Sequence, residues 1–126
     1  MSIKIDPADK VFSQYIRTRD TMCVRCQSPV IFKGAGLPVT HQNSHYFGRG
    51  RENTRFDPEN CDTLCHGCHQ YWGSADKEGY RDFKIKQLGQ ERYDMLCIRA
   101  ETYCKKDRKL AYLASKQLLT SLALDM

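Results

Sequence analysis

The sequence predicts an α+β protein in which a small two-stranded hairpin and one helix are surrounded by additional helices. Two Cys-x2-Cys pairs, Cys23 with Cys26 and Cys65 with Cys68, indicate a metal-braced unit at its centre. A β-prone stretch lies between the two pairs, and helical patterns precede the first pair and follow the second. Together these observations predict the fold class.

Length and composition fit one folded domain. The chain has 126 residues, of which 40% are apolar, and this supplies a single core. No apolar run approaches the roughly 20 residues of a membrane span, and the first ten residues lack the apolar stretch of a signal peptide. We therefore expect a soluble, cytoplasmic protein with no membrane partner. Seven cysteines is an odd number, which in a reducing compartment favours metal binding over disulfides.

The first predicted element is a helix that begins after Asp6, with Pro7 at its first position and Asp9 in its first turn. Its apolar stripe comprises Val11, Phe12, Tyr15 and Ile16. A first strand is expected at residues 30–32, and the turn at 34–36 leads to a second, more polar strand within residues 37–46. We expect these two strands to pair as a hairpin.

Residues 47–58 contain glycines, a proline and three arginines without periodicity, so they predict a basic loop. A short helix is expected from Cys65 to Trp72, where Gly73 ends it. Three further helices are predicted at residues 77–88, 91–105 and 109–124. The last one is rich in leucine, which favours packing against the body of the protein or against a second copy in a homodimer.

The two identical cysteine pairs are the strongest signal, and 38 residues separate them. Thiolates two residues apart can bind one ion, and two such pairs complete the tetrahedral all-sulfur shell of a structural Zn²⁺. We therefore predict zinc bound by Cys23, Cys26, Cys65 and Cys68. Cys61 also has chelating spacing to Cys65, but the two matched pairs complete the zinc shell without it. The last two cysteines, Cys97 and Cys104, are expected in the core.

All four histidines lie within 29 residues around the second cysteine pair: His41, His45, His66 and His69. Cys68 and His69 are adjacent on the predicted helix, so their side chains diverge by about 100°. One of them can then face zinc while the other faces a separate site. His66 lies inside the cysteine pair and is expected to point to solvent.

These residues carry a resemblance to a known family. Ser44-His45, Pro58-Glu59-Asn60 and the stretch LCHGCH at residues 64–69 resemble the HNH endonuclease pattern in its zinc-bearing form. The stretch from Asp9 to about Lys106, with FSQYIRTRD, SHYFGR, RFDPENCD, LCHGCHQYW and AETYCKKD, more closely resembles the lambdoid phage NinG (Rap) recombination nucleases. The resemblance implies a ββα-metal, treble-clef-like unit. The implied division is a zinc-braced HNH nuclease domain at residues 1–106 and a packing or dimerisation helix at 107–126.

The resemblance also implies roles for three residues. His45 corresponds to the general base, Asn60 to the residue that ties the loop and orients the base, and His69 to a ligand of a catalytic Mg²⁺ or Mn²⁺. The implied reaction is hydrolysis of a DNA phosphodiester. Elementary chemistry agrees, because a histidine that titrates near 6.5 can activate water and one divalent ion can stabilise the developing negative charge.

Ser44 departs from the family pattern, because many HNH enzymes have Asp or His before the base. Serine is a weak neutral ligand, so the catalytic metal shell is incomplete on sequence grounds. His41 is the nearest substitute, with water, Asp57 or Glu59 as rivals. The alternative interpretation of His41 is a histidine that faces solvent or is satisfied within the core.

Three arginines, Arg49, Arg51 and Arg55, follow the predicted base and suit the DNA backbone, although a solvated charged loop is the alternative. The net charge of +5 favours the same acidic partner. No recognition helix is apparent, so we expect phosphate and shape contacts, which favour branched or structured DNA in the bacterial host cytoplasm if the protein is phage-encoded. The rival hypotheses are a catalytically inactive zinc-braced DNA-binding module and a zinc-stabilised protein-interaction domain.

Overall fold

A computed structural model describes residues 5–125 of the chain. Within them the chain forms six α-helices and two small antiparallel sheets of two strands each, which confirms the predicted α+β class. In chain order the elements are α1 (Pro7–Asp20), β1 (Phe32–Lys33), β2 (Leu37–Pro38), β3 (Gln42–His45), α2 (Glu52–Arg55), β4 (Cys61–Leu64), α3 (His66–Gln70), α4 (Lys77–Leu88), α5 (Gln90–Glu101) and α6 (Arg108–Leu124). A 3-10 turn, Pro58–Asn60, precedes β4, and a π-helical turn, Tyr71–Ala75, extends α3.

Helix α1 begins as predicted. The Asp6 carboxylate accepts a hydrogen bond from the Ala8 amide at 2.8 Å and caps the helix. The apolar face of α1 buries Phe12 and Ile16, and helix α6 packs along it. Leu118 of α6 reaches the cluster that these two residues form with Cys61.

The predicted hairpin is only partly right. Strands β1 and β2 do pair, with Phe32 opposite Pro38, but residues 42–45 pair with β4 instead, with His45 opposite Cys61. Strand β4 is buried along its whole length although it contains Asp62 and Thr63. Residues distant in sequence form hydrogen bonds with these polar side chains, which allows them to be buried. The sequence of β4 therefore lacks the alternation of apolar and polar residues by which a strand is recognised.

A buried polar network holds β4 against α4. The Asp62 carboxylate accepts from Lys84 Nζ at 3.0 Å and from Gln87 Nε2 at 2.9 Å, and both charged side chains are fully buried. The Tyr80 hydroxyl lies 3.1 Å from the same carboxylate. These contacts fix α4 against the strand pair that carries the candidate site.

The later helices differ from prediction mainly at their ends. Helix α5 ends at Glu101 rather than near residue 105, because side chains of the basic loop cap its last carbonyls: Arg51 donates to Ala100 O and Asn53 donates to Arg99 O. The loop itself contains the single turn α2. None of the helices within residues 5–125 combines the length and apolar character needed to cross a membrane.

Candidate metal centre and histidine cavity

The four predicted cysteines form one cluster. Cys23 and Cys26 lie in the turn after α1, Cys65 caps the start of α3 and Cys68 lies within that helix. Their sulfur atoms all lie within 4.8 Å of one another, and the Cys26 and Cys65 sulfurs are 3.8 Å apart. A tetrahedral zinc site with Zn–S bonds of about 2.3 Å places its sulfurs about 3.8 Å apart. The cluster therefore fits zinc.

Backbone amides and a guanidinium group lie within hydrogen-bonding distance of the clustered sulfur atoms. The Cys26 amide donates to Cys23 Sγ and the Cys68 amide donates to Cys65 Sγ, each at 3.5 Å. The Arg25 guanidinium lies 3.3 Å from Cys68 Sγ. Hydrogen bonds with Ser28 lower the pKa of the Cys26 thiol to about 6, whereas burial raises the pKa of Cys68 to about 12. A metal must displace the proton of Cys68 to bind all four sulfurs.

The remaining cysteines lie outside this cluster. Cys61 is fully buried beside Phe12 and Ile16, and burial raises the pKa of its thiol. Its spacing to Cys65 therefore does not bring it to the metal centre. Cys97 and Cys104 are partly buried rather than core residues.

His45 and His69 line one cavity of about 380 Å³, which we call the histidine cavity. His45 comes from the end of β3, and His69 from α3, whose first turn contains the clustered Cys65 and Cys68. A metal ion bound by the four cysteines would thereby anchor the helix that presents His69. Ser44, Lys77 and Tyr80 also line the cavity, and no carboxylate of the described chain does.

Hydrogen bonds fix which nitrogen of each histidine carries the proton. His45 Nε2 lies 2.9 Å from the backbone carbonyl of Arg55, which can only accept, so the other nitrogen, Nδ1, is the free base in the neutral ring. His69 Nδ1 lies 2.6 Å from the amide oxygen of Gln42, which leaves Nε2 as a free ligand nitrogen. Burial lowers the pKa of both imidazoles, which keeps them neutral at pH 7.

Asn60 is fully buried and holds the basic loop against the strands. Its side-chain oxygen accepts from the Phe47 amide at 2.8 Å, and its amide nitrogen donates to the carbonyls of Phe47 and Thr54, each at 3.0 Å. Arg55, whose carbonyl holds His45, is the next residue after Thr54. Asn60 thus orients the segment that orients the histidine.

Ser44 is buried, and its hydroxyl lies 3.1 Å from the Tyr80 hydroxyl. His41 does not line the histidine cavity. Its Nε2 lies 3.0 Å from the Ser28 hydroxyl and its Nδ1 lies 2.9 Å from the Thr40 hydroxyl, so both ring nitrogens are occupied. A cation beside His69 gains His41 as a ligand only if that ring leaves these partners.

The two carboxylates considered as substitutes are bound elsewhere. Asp57 accepts from Arg99 Nε at 2.7 Å, and Glu59 accepts from Arg99 and Arg92. Neither lines the histidine cavity. His66 is exposed, as expected for a residue between the two clustered cysteines.

The loop arginines pair with carboxylates. Asp9 accepts from Arg55 Nε at 2.9 Å and from Arg49 at 3.1 Å. Burial alone would raise the pKa of Asp9, but the hydrogen bond and charge of Arg55 lower it, so Asp9 is ionised. Arg51 pairs with Glu101. Arg49 remains half exposed, whereas Arg55 is mostly buried.

Two further cavities lie near the histidine cavity: one shares His45 with it, and the other shares Arg49 with the first. The α1 cavity, of about 460 Å³, includes Asp9, His41, His45 and Arg49 in its lining, and the tyrosine cavity, of about 340 Å³, includes Arg49 and Tyr103. Cationic side chains dominate the three linings: they are Lys10, Arg17, Arg49, Arg55, Lys77, Lys106 and Arg108, against the two carboxylates Asp9 and Glu52. The whole chain has 20 basic and 15 acidic residues, so the positive charge is concentrated at these cavities.

No sequence pattern indicates several residues of the site. Gln42, Lys77 and Tyr80 reach the histidine cavity or its histidines only through the pairing of β3 with β4 and the docking of α4. The partner of Gln42, His69, lies 27 residues away in the sequence, so no local pattern marks Gln42. These residues could be predicted only from the pairing of β3 with β4, which local sequence does not indicate.

No match was found among curated proteins or among solved structures. The family model described as "Bacteriophage Lambda NinG protein" matches residues 2–118, which is nearly the whole chain. This match includes all four clustered cysteines and both histidines of the histidine cavity. The chain therefore belongs to the family of the bacteriophage lambda NinG protein, a phage recombination family.

Proposed function

We propose that the protein is a metal-dependent HNH endonuclease that hydrolyses phosphodiester bonds of branched or structured DNA during phage recombination. One observation carries the proposal: His45 and His69 line a single cavity, and each has one ring nitrogen held by a hydrogen bond and the other free. Membership in a phage recombination family supports the biological setting.

In the proposed reaction His45 is the general base, and its Nδ1 takes a proton from the attacking water. The Arg55 carbonyl holds the opposite nitrogen, and Asn60 holds the loop that presents this carbonyl. The base is therefore oriented before substrate binds, which reduces the cost of reaching the transition state.

His69 is the proposed ligand of a catalytic divalent ion through Nε2, with Gln42 fixing the ring. A bound Mg²⁺ or Mn²⁺ supplies Lewis-acid stabilisation of the negative charge that develops on the phosphate. Because no carboxylate within residues 5–125 lines the histidine cavity, we expect a preference for Mn²⁺, which accepts imidazole more readily than Mg²⁺ does. Lys77 adds a positive charge at the same cavity.

The charge of the three cavities supports DNA as the substrate. Seven cationic side chains and two carboxylates line them, which suits a polyanion. The loop arginines that line them, Arg49 and Arg55, and nearby Arg51 are proposed to contact phosphates. Arg49 is the freest of the three, because Arg55 is mostly buried against Asp9 and Arg51 pairs with Glu101.

A second candidate function is a zinc-braced DNA-binding module without catalysis. The position of Ser44 favours it, because the residue before the base is buried and engaged by Tyr80 instead of offering a carboxylate to a cation. Both candidates predict DNA binding, and only the nuclease predicts cleavage.

The test compares cleavage of supercoiled plasmid and of a four-way DNA junction by wild type and His45→Ala in Mn²⁺ or Mg²⁺. We expect cleavage by the wild type and a loss of roughly 10²–10⁴-fold in the variant. DNA affinity measured without divalent ion should stay within about twofold, because the base does not contribute to ground-state binding. His66→Ala, which removes an exposed histidine outside the cavity, is the matched control.

Zinc content is measured for each variant, so that unfolding is not mistaken for lost chemistry. DNA binding without cleavage in either metal would identify the inactive module. Failure to bind DNA at low salt would leave the protein-interaction domain as the remaining hypothesis.

A further inference from the structure

Among the large hydrophobic side chains of the described chain, Tyr103 is the most exposed, at 89%. It lies in the connector between α5 and α6, on the wall of the tyrosine cavity. No hydrogen bond or ring contact of Tyr103 is present within residues 5–125. The flat face of the ring is therefore open to solvent beside a cavity.

Four cationic side chains share this cavity with the ring. Arg55 and Arg108 are held by carboxylates, the latter by Glu52 at 2.8 Å and Asp6 at 3.1 Å. Lys106 is exposed and has no ion-pair partner in the described part of the chain, and Arg49 is half exposed although it pairs with Asp9 at 3.1 Å. An open aromatic face with available cations beside it is the combination that binds single-stranded nucleic acid: bases stack on the ring and phosphates meet the cations.

Shared lining residues connect the tyrosine cavity, through the α1 cavity, with the proposed catalytic residues. Arg49 lines both the tyrosine cavity and the α1 cavity, and His45 lines both the α1 cavity and the histidine cavity. A strand whose phosphate lies at His45 therefore passes the cationic side chain of Arg49 on its way to Tyr103.

We propose that the tyrosine cavity binds an unpaired nucleotide of a single-stranded DNA arm. Its base stacks on Tyr103 and its backbone phosphate contacts Arg49 and Lys106. A base inside a duplex has both faces covered by its neighbours, whereas an unpaired nucleotide of a single-stranded arm can turn one face of its base to the ring. This inference rests on the proposed function and specifies which part of a branched substrate the protein holds.

The test measures the affinity of the full chain for fluorescent DNA by anisotropy, at low salt and without added divalent ion. Two probes share one duplex, and only the second has a ten-nucleotide single-stranded arm. We expect Tyr103→Ala to weaken binding of the armed probe on the order of tenfold, the scale of one lost stacking contact. Binding of the blunt duplex should change less than twofold.

Matched variants separate stacking from mere apolar contact. Tyr103→Trp keeps an aromatic plane and should retain the affinity for the armed probe, whereas Tyr103→Leu keeps apolar volume and should lose it. Lys106→Gln should weaken binding of the armed probe and reduce its salt dependence. Unchanged binding by Tyr103→Leu, or equal losses on both probes, would overturn the proposal, and so would tighter binding of an RNA arm than of the DNA arm.

The readout also separates this inference from the nuclease. If the wild type fails to cleave but the Tyr103 variants lose the armed probe selectively, the arm site stands and the proposed catalysis falls. If cleavage depends on His45 while the Tyr103 variants bind like wild type, the nuclease stands and the arm site falls.

Discussion

At the scale of single residues, hydrogen bonds orient the side chains of the candidate site, and their positions along the sequence do not reveal these contacts. Asn60 makes three of them and is fully buried, so its loss leaves the backbone groups of Phe47 and Thr54 unpaired. We expect Asn60→Ala to lower the free energy of unfolding by about 3 kcal/mol, since each buried unpaired group costs on the order of 1–3 kcal/mol.

Urea unfolding of the zinc-loaded protein measures this loss. Asn53→Ala is the matched control, because Asn53 belongs to the same loop and makes a single hydrogen bond, to the Arg99 carbonyl at 2.9 Å. Its expected cost is about 1 kcal/mol. Equal losses for the two variants would show that Asn60 is not the tie that fixes the loop.

Gln42 is a positioning residue for His69, because it accepts the Nδ1 proton at 2.6 Å. Removal of such a partner typically weakens metal binding 10–100-fold. We therefore expect Gln42→Leu to raise the Mn²⁺ concentration for half-maximal cleavage about tenfold, and Gln42→Glu to restore it by accepting the same proton. An unchanged metal titration in Gln42→Leu would remove Gln42 from the site.

At the scale of elements, helix α6 is bound to the rest of the chain through α1. Leu118 packs on the cluster of Phe12, Ile16 and Cys61, whereas Leu110, near the start of the same helix, is 61% exposed. We expect Leu118→Ala to lower the free energy of unfolding by about 2 kcal/mol. Leu110→Ala should change it by less than about 0.5 kcal/mol.

Denaturant unfolding of the two leucine variants gives the comparison. Similar small effects would mean that α6 is not part of the folded core. Loss of a dimer in Leu110→Ala, seen by light scattering at equal protein concentration, would instead assign the exposed face of α6 to contacts between copies.

Elements that depend on local sequence were predictable, and those that depend on distant partners were not. The cap of α1 at Asp6 and the extent of α4 follow from residues within or beside each helix. Strand β4 was missed because Asp62 finds its partners on α4, more than 20 residues away. The early end of α5 was missed for the same reason, since Arg51 caps it from about 50 residues upstream.

The candidate site divides in the same way. Regular spacing was enough to predict the cysteine cluster, whose sulfurs lie within 4.8 Å of one another. The order of motifs suggested His45 and His69, and the structure places both at one cavity. The contacts of Ser44 with Tyr80 and of His41 with Ser28 arise from tertiary packing, which no local pattern records.

At the scale of the whole molecule, the cysteine cluster joins the turn after α1 to the start of α3. Zinc bound there contributes directly to folding, so Cys65→Ser should lose the bound zinc and unfold the domain. Cys97→Ser is the matched control and should retain one zinc per chain, because Cys97 lies outside the cluster. Elemental analysis with circular dichroism checks both, and a fully folded, zinc-free Cys65→Ser would contradict a structural zinc.

We propose that His69 binds a second, catalytic ion at the same cavity as His45. Anomalous diffraction from crystals soaked in Mn²⁺ tests it most directly, with data at the manganese and zinc absorption edges. We expect zinc among the four cysteines and a separate manganese peak bonded to His69 Nε2, absent in His69→Ala crystals soaked in the same way. A histidine cavity without manganese in the wild type, or a manganese peak that persists in His69→Ala, would contradict the claim.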